Sequence, residues 1–260
     1  MELIKKDFSC LKGQMVIRGK EITASQAAGR LPAAIVCHGF TGDMSSTEKY
    51  GDVFAQKGYR AFIFDFCGGG FKTISDGTLE DYMTPLTEID DLKAVIEYVT
   101  SRDDVDADSL ILMGCSQGGF VAALTAKELK DQVKQLVLFY PALCIPDDAR
   151  NGSMQVMTFD PENIPHHIGE GKMRVSGAYP RSVLHMDVFE ELKGYTGKVL
   201  LVHGTGDSIV SHSYSEKAYQ VYQDNGANAE LFLIEGGQHG YTGEHLAQAK
   251  QILRDNTLDF

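Results

Sequence analysis

The chain has 260 residues, the upper end of what one hydrophobic core holds, and nothing in that length demands a second core. Its 43% hydrophobic and 23% charged residues are those of an ordinary globular protein, and no stretch approaches the roughly 18 consecutive apolar residues of a membrane span. A net charge of −12 argues against a phosphate backbone or an anionic membrane as partner, since both need clustered Lys and Arg.

The opening MELIKKDFSC carries basic residues with no apolar run behind them, so it does not read as a secretory signal. Five cysteines (Cys10, Cys37, Cys67, Cys115, Cys144) are dispersed without CxxC spacing. That pattern is expected of reduced thiols in a cytoplasmic protein and offers no zinc site.

A lead-in hairpin is predicted over residues 2–8 and 15–22, joined near Gly13, as an antiparallel edge. Residues 33–37 (AAIVC) are a buried-strand run ending at His38-Gly39. A helix over 47–57 follows and stops at Gly58, where left-handed backbone is wanted. Residues 61–66 (AFIFDF) are the next strand, ending in Cys67-Gly68-Gly69-Gly70. Thr84-Pro85 starts a helix, Thr as cap and Pro in the first turn, and Leu86, Ile89, Ile96 and Val99 fall on one face. The acidic run Asp103, Asp104, Asp106, Asp108 lacks the glycine pivot and closing Glu of a calcium loop and reads as a solvated turn. Strands at 110–113, 135–140, 199–203 and 229–234 alternate with helices at 120–130, 214–224 and 246–254. This alternation predicts an α/β architecture: a mostly parallel eight-stranded sheet with helices on both faces. Residues 142–190 break the alternation and are rich in Pro, His, Met and Gly. With Phe159, Ile164, Tyr179 and Phe189 they read as a lid over a site, the plainer alternative being that these aromatics only pack the insertion onto the domain.

The strand at 110–113 runs into Gly114-Cys115-Ser116-Gln117-Gly118, and a helix follows without a gap. A G-x-S-x-G match gains meaning in this strand-turn-helix setting. The sharp turn strains the serine backbone, the glycines avoid a Cβ collision, and Ser116 Oγ is lifted above the sheet at a helix N-terminus. Such a hydroxyl needs a base to become a nucleophile. Among eight histidines, His239 lies just past the strand ending at Ile234, in a glycine-flanked loop (Gly236-Gly237-Gln238-His239-Gly240) able to reach over the sheet. His38 is expected to shape the loop after its strand, His166, His167 and His185 lie in the insertion, and His212 and His245 read as helix-start residues. Asp207, after the strand 199–203, is the carboxylate expected to orient the imidazole; the alternatives are a plain helix N-cap at 207, or Asp65 as the acid, which breaks the chain order Ser…Asp…His. Two backbone N–H donors are expected for a tetrahedral oxyanion, from Gln117 and from Phe40 in His38-Gly39-Phe40-Thr41-Gly42. No metal or organic cofactor is needed for this chemistry.

HGFTGD, GCSQGGF, HGTGDSIV and GGQHGY, in this order, resemble the α/β-hydrolase superfamily over residues 30–255, which implies one such domain over 1–260 with a lid insertion at about 142–190. The segment FDPENIP (159–165) is similar to the lid of bacterial cinnamoyl (feruloyl) esterases. The resemblance implies a small-molecule ester substrate whose acyl part is a hydroxycinnamate, with Asp148, Gln155 and Tyr179 set against the ring hydroxyl. A dimer is implied by the resemblance alone. This chain departs from the family at Gly68-Gly69-Gly70, where Gly-His-Gly is common and the middle side chain is gone. Rival readings on the same fold are a general short-chain carboxylesterase, a thioesterase, a monoacylglycerol lipase or a peptidase; from another class, a binding protein without catalysis.

Overall fold

The chain opens, in a computed structural model that describes residues 1–260, with β1 (Leu3–Lys12) and β2 (Met15–Ala24), paired antiparallel from Leu3↔Ala24 to Lys12↔Met15. Gly13 makes the connection at φ +59°, a conformation a side chain resists. Then follow β3 (Leu31–Cys37), α1 (Glu48–Gln56), β4 (Arg60–Phe64), α2 (Pro85–Thr100), β5 (Val105–Cys115), α3 (Gln117–Glu128) and β6 (Val133–Phe139). The next segment holds short pieces only: α4 (Ile145–Arg150), the hairpin β7 (Ser153–Met154) and β8 (Met157–Thr158), the pair β9 (His167–Ile168) and β10 (Val175–Ser176), α5 (Ala178–Val183) and α6 (Val188–Leu192). Regular alternation resumes with β11 (Lys198–Gly204), α7 (Ser213–Asp224), β12 (Asn228–Ile234) and α8 (Gly243–Asn256).

Eight strands form one sheet in the order β1-β2-β4-β3-β5-β6-β11-β12. The pairs β1–β2 and β2–β4 are antiparallel, and every pair from β4 to β12 is parallel. Successive residues part to opposite faces. Ala33, Ile35, Cys37, Phe62 and Phe64 enter the larger apolar cluster with α2 and α3, while Ala34, Val36, Ala61 and Ile63 enter the smaller one with α1 and α8. Burial on both faces explains the unbroken apolar runs. Cys144, Met154, Met157, Ile168, Val175, Tyr179 and Phe189 of the 142–190 segment join the larger cluster, so this segment packs into the core, with Phe159 and Ile164 partly buried against it.

Two expectations need correction. Leu86 is 39% exposed, and the buried face of α2 carries Glu88 and Asp91 beside Ile89, Leu92, Ile96 and Val99. The acidic run is not a free turn either. β5 begins at Val105, and Asp104 accepts hydrogen bonds from Arg60 and Arg102.

From β3 the chain passes to β4 on one side and, through α2, to β5 on the other. The crevice between the ends of β3 and β5 is thus the switch point where open α/β sheets place their ligands.

Candidate functional site

β5 ends at Cys115 and α3 begins at Gln117, leaving Ser116 alone in the turn. Its φ of +55° and ψ of −123° are strained for a residue with a Cβ. The backbone holds it there: Ser116 N–H donates to Phe139 O at 3.0 Å, and Ser116 O accepts from Gly119, Phe120 and Ala142 amides. A Cβ at Gly114 would lie 2.0 Å from Gly118 O, and one at Gly118 would lie 2.3 Å from His38 O. Both glycines are required by backbone contact across the elbow. Gln117, as the first residue of α3, offers an orphan helix-start N–H beside the hydroxyl.

His239 sits between β12 and α8, where Gly236 and Gly240 take positive φ. Its Nε2 is 2.9 Å from Ser116 Oγ, and its Nδ1 is 2.7 Å from Asp207 Oδ2. The Tyr140 ring packs edge-on to the imidazole at 4.8 Å. Asp207 Oδ1 accepts the amides of Ile209 and Val210, both at 2.9 Å. The N-cap of α7 is His212, so Asp207 closes the turn that follows β11 rather than capping a helix. His203, near the end of β11, is fully buried with Nε2 3.2 Å from Asp207 Oδ2 and Nδ1 2.7 Å from Ser215 Oγ. Burial works against charge on Asp207, but hydrogen bonds from His203, His239 and Val210 prevail and hold its carboxyl well below the usual carboxylate range.

The loop after β3 closes the other side. A Cβ at Gly39 would sit 3.0 Å from Ser116 Cβ and 3.5 Å from Oγ, which brings Gly39-Phe40 into contact with the hydroxyl. His38 shapes this loop: Nδ1 meets Gly39 O at 2.8 Å and Nε2 accepts from Phe66 N–H at 3.1 Å. Asp65 is occupied elsewhere, accepting the amides of Met44 and Ile74.

A hydroxyl, an imidazole and a carboxylate in hydrogen-bonded series at a strand-turn-helix elbow go with one further finding: residues 31–167 match the sequence profile of the serine aminopeptidase S33 family. The chain belongs to this α/β-hydrolase family. Est1E from Butyrivibrio proteoclasticus, solved with ferulic acid bound, superposes on this hydrolase with a TM-score of 0.87 at 27% identity, covering 95% of this chain and 96% of that one. A second Est1E structure gives 0.83 at 25% identity, covering 96% of each chain. By sequence, the uncharacterized protein YfhR of Escherichia coli O157:H7 is 23% identical over 243 residues, 92% of this chain and 72% of that protein.

In this hydrolase a slot leads from Ser116 into the 142–190 segment, with Gln117, Asp148, Gln155, Met157 and Tyr179 in its wall. The resemblance-based residues are therefore brought together, but their roles differ. The Tyr179 hydroxyl donates to Gln117 Oε1, and Gln117 Nε2 donates at 2.8 Å to Glu88, a buried carboxyl that sequence reasoning missed. Burial raises Glu88 well above the usual range, Asp91 adds to that, and the Gln117 bond only offsets part of it. Asp148 is raised by burial and by Asp147, against a hydrogen bond with the Cys144 thiol. Gln155 occupies the tight β7–β8 loop at φ +56°, next to Val156, which is 80% exposed. The interior of the slot is about 20 Å³, room for a water but not for an aromatic ring. Gly69 does not line it; a Cβ there would meet Phe66 Cβ at 2.7 Å and His38 Cε1 at 3.1 Å. The Gly-Gly-Gly departure thus lies behind the His38 loop.

No helix is long and apolar enough to cross a membrane.

Proposed function

We propose that this hydrolase is a serine carboxylic-ester hydrolase that acts on hydroxycinnamate esters, with Ser116 as nucleophile, His239 as base and Asp207 as its orienting carboxylate. The observation that carries the reading is the continuous hydrogen-bonded series Asp207–His239–Ser116 at the mouth of a slot into the 142–190 segment. Ser116 Oγ attacks the ester carbonyl as its proton passes to His239 Nε2. The oxyanion is held by the N–H groups of Phe40 and Gln117, and each such donor contributes about 3 kcal/mol to the transition state. The C–O bond to the alcohol then breaks, and His239 returns the proton to the leaving oxygen. Water, deprotonated by the same imidazole, cleaves the acyl-enzyme and frees the acid. Asp207, kept ionised, stabilises the imidazolium and fixes Nδ1–H toward itself.

The acyl side is supported by the mixed apolar and polar lining of the slot and by the ferulic acid bound to Est1E. Met154, Met157 and Tyr179 line the slot that would take a planar aryl acid once it widens, and Asp148, whose proton burial holds more tightly, can hydrogen-bond a phenol there. The 142–190 segment then acts as a lid. Because the slot is tight, the β7–β8 hairpin carrying Gln155 swings outward to admit a ring.

The test compares methyl ferulate with an aliphatic methyl ester of similar size and with an aminoacyl-p-nitroanilide, in EDTA. A kcat/KM at least tenfold higher for methyl ferulate is expected. Equal rates on both esters would leave a general carboxylesterase, and preference for the anilide would overturn the ester reading.

A further inference from the structure

Two openings meet at Ser116, and their walls differ in a way that assigns them. The slot toward Asp148 does not include His239. The second opening, on the other side of the hydroxyl, is a groove of about 210 Å³ lined by Gly39, Phe40, Lys49, Ser116, Tyr140 and His239 among others. In the proposed reaction His239 must protonate the departing oxygen, so the leaving group lies on the side that His239 faces. The groove is that side. It is several times the roughly 30 Å³ share of a water molecule and holds more than a methyl or ethyl alcohol fills.

The groove wall holds no Asp, Glu or Arg, and Lys49 is its one lysine. It lies in the first turn of α1 and is half-buried. Several lysines of this acidic chain reach a carboxylate: Lys5, Lys12, Lys57, Lys93, Lys127, Lys193 and Lys198 do so. Lys49 forms no ion pair. Its Nζ has a long contact to Tyr241 O at 3.5 Å and lies 5.2 Å from the centre of the Tyr50 ring. Burial, with the nearby Lys250, makes the charged ammonium less favourable there, against a smaller opposing influence of Cys115. The hydroxyls of Ser46 and Thr47 donate to Asp43 O and Met44 O, so they do not compete for an anion. A partly desolvated ammonium with one long hydrogen bond, lining the groove beside the nucleophile, is the counterpart of a negative group on the ligand.

Resting on the ester-hydrolase reading above, we propose that the groove takes a leaving group carrying a carboxylate, so that the preferred substrates are aryl-acid esters of hydroxy acids, with Lys49 the residue that selects the negative charge. The carboxylate accepts from Lys49 Nζ while the ester oxygen takes its proton from His239, and the freed product is the hydroxy acid.

The experiment uses matched pairs: the cinnamoyl esters of glycolic acid and of 3-hydroxypropanoic acid, each against its primary carboxamide, which has the same size and no charge. The readout is the acid-to-amide ratio of kcat/KM in one enzyme preparation, which cancels partial loss of folded protein. The wild type is expected to favour the acid by roughly tenfold at low salt for at least one spacer, less at 0.5 M NaCl. Lys49→Met and Lys49→Gln are expected to bring the ratio to about one, and Lys49→Arg to keep it. Hydrolysis of both members by the wild type with a ratio that Lys49→Met and Lys49→Gln leave unchanged overturns the assignment of Lys49 while the esterase reading stands. Failure of every ester, with Ser116→Ala matching wild type on p-nitrophenyl acetate, overturns the esterase reading and this inference with it.

Discussion

Replacing Asp207 with Asn removes one charge and no volume, and the structure says where the damage falls. Four donors converge on this carboxylate: Ile209 and Val210 amides on Oδ1, His239 Nδ1 and His203 Nε2 on Oδ2. An amide has one acceptor oxygen. If that oxygen keeps the two backbone amides, which cannot move away, the NH2 group faces the two rings. His203 shares its Nε2–H between Asp207 Oδ2 and Val210 O, 3.0 Å from the latter, and holds its Nδ1 on Ser215, so it has no free tautomer. His239 does, and it yields by moving its proton to Nε2. That proton then points at Ser116 Oγ, and the imidazole can no longer accept from it. The expected loss in kcat is about 10⁴-fold, about 5 kcal/mol of activation free energy. The same mismatch should lower stability by about 1–3 kcal/mol through poorly satisfied buried donors. Steady-state kinetics on methyl ferulate and p-nitrophenyl acetate, with a urea melt on the same sample, measure both. An Asp207→Asn enzyme within tenfold of wild type would show that the tautomer argument is wrong.

Other consequences follow from single contacts. Gly118→Ala forces a Cβ into His38 O, and moving backbone apart should cost roughly 1–3 kcal/mol or a Tm fall of several degrees, with most activity lost; unchanged melting would contradict the close approach. Glu88 binds its proton more tightly when folded than when unfolded, so stability should fall as pH rises above about 4.3, by up to about 1.4 kcal/mol per pH unit, until the folded form ionises. Glu88→Gln removes that dependence, and its gain over wild type in urea melts should grow from pH 4.5 to pH 7.5; parallel curves would count against a neutral Glu88. Asp148→Leu should lower the ratio of kcat/KM for methyl p-coumarate over methyl cinnamate by roughly tenfold, since only the first carries a ring hydroxyl. An unmoved ratio would take Asp148 out of phenol recognition.

The sheet and the elbow were legible because their signals are local. The apolar runs at 33–37, 110–113, 199–203 and 229–234 proved to lie within β3, β5, β11 and β12. Long-range pairing was less visible. β5 starts at Val105, earlier than the apolar run at Leu110, because its polar first half pairs with Leu31 and Pro32 before register shifts in both neighbours. The helical period placed Leu86 inside and overlooked Glu88 and Asp91. What buries those acids is partners from elsewhere: Gln117 for Glu88, and Lys12 at 2.5 Å and the Cys67 amide for Asp91. His203 and Lys49 escaped notice for the same reason. Nothing near His203 in the chain announces that it turns back onto Asp207, and the significance of Lys49 lies in the groove beside Ser116 that it lines.

Ester hydrolysis at this site requires Ser116 to be the activated hydroxyl. Treating the protein with an alkyl fluorophosphonate and mapping the adduct by peptide mass spectrometry reads this directly. A single phosphonyl group on the peptide containing Ser116 is predicted, absent in Ser116→Ala and slowed by orders of magnitude in His239→Ala. No adduct, or an adduct on another residue that persists in Ser116→Ala, would contradict it.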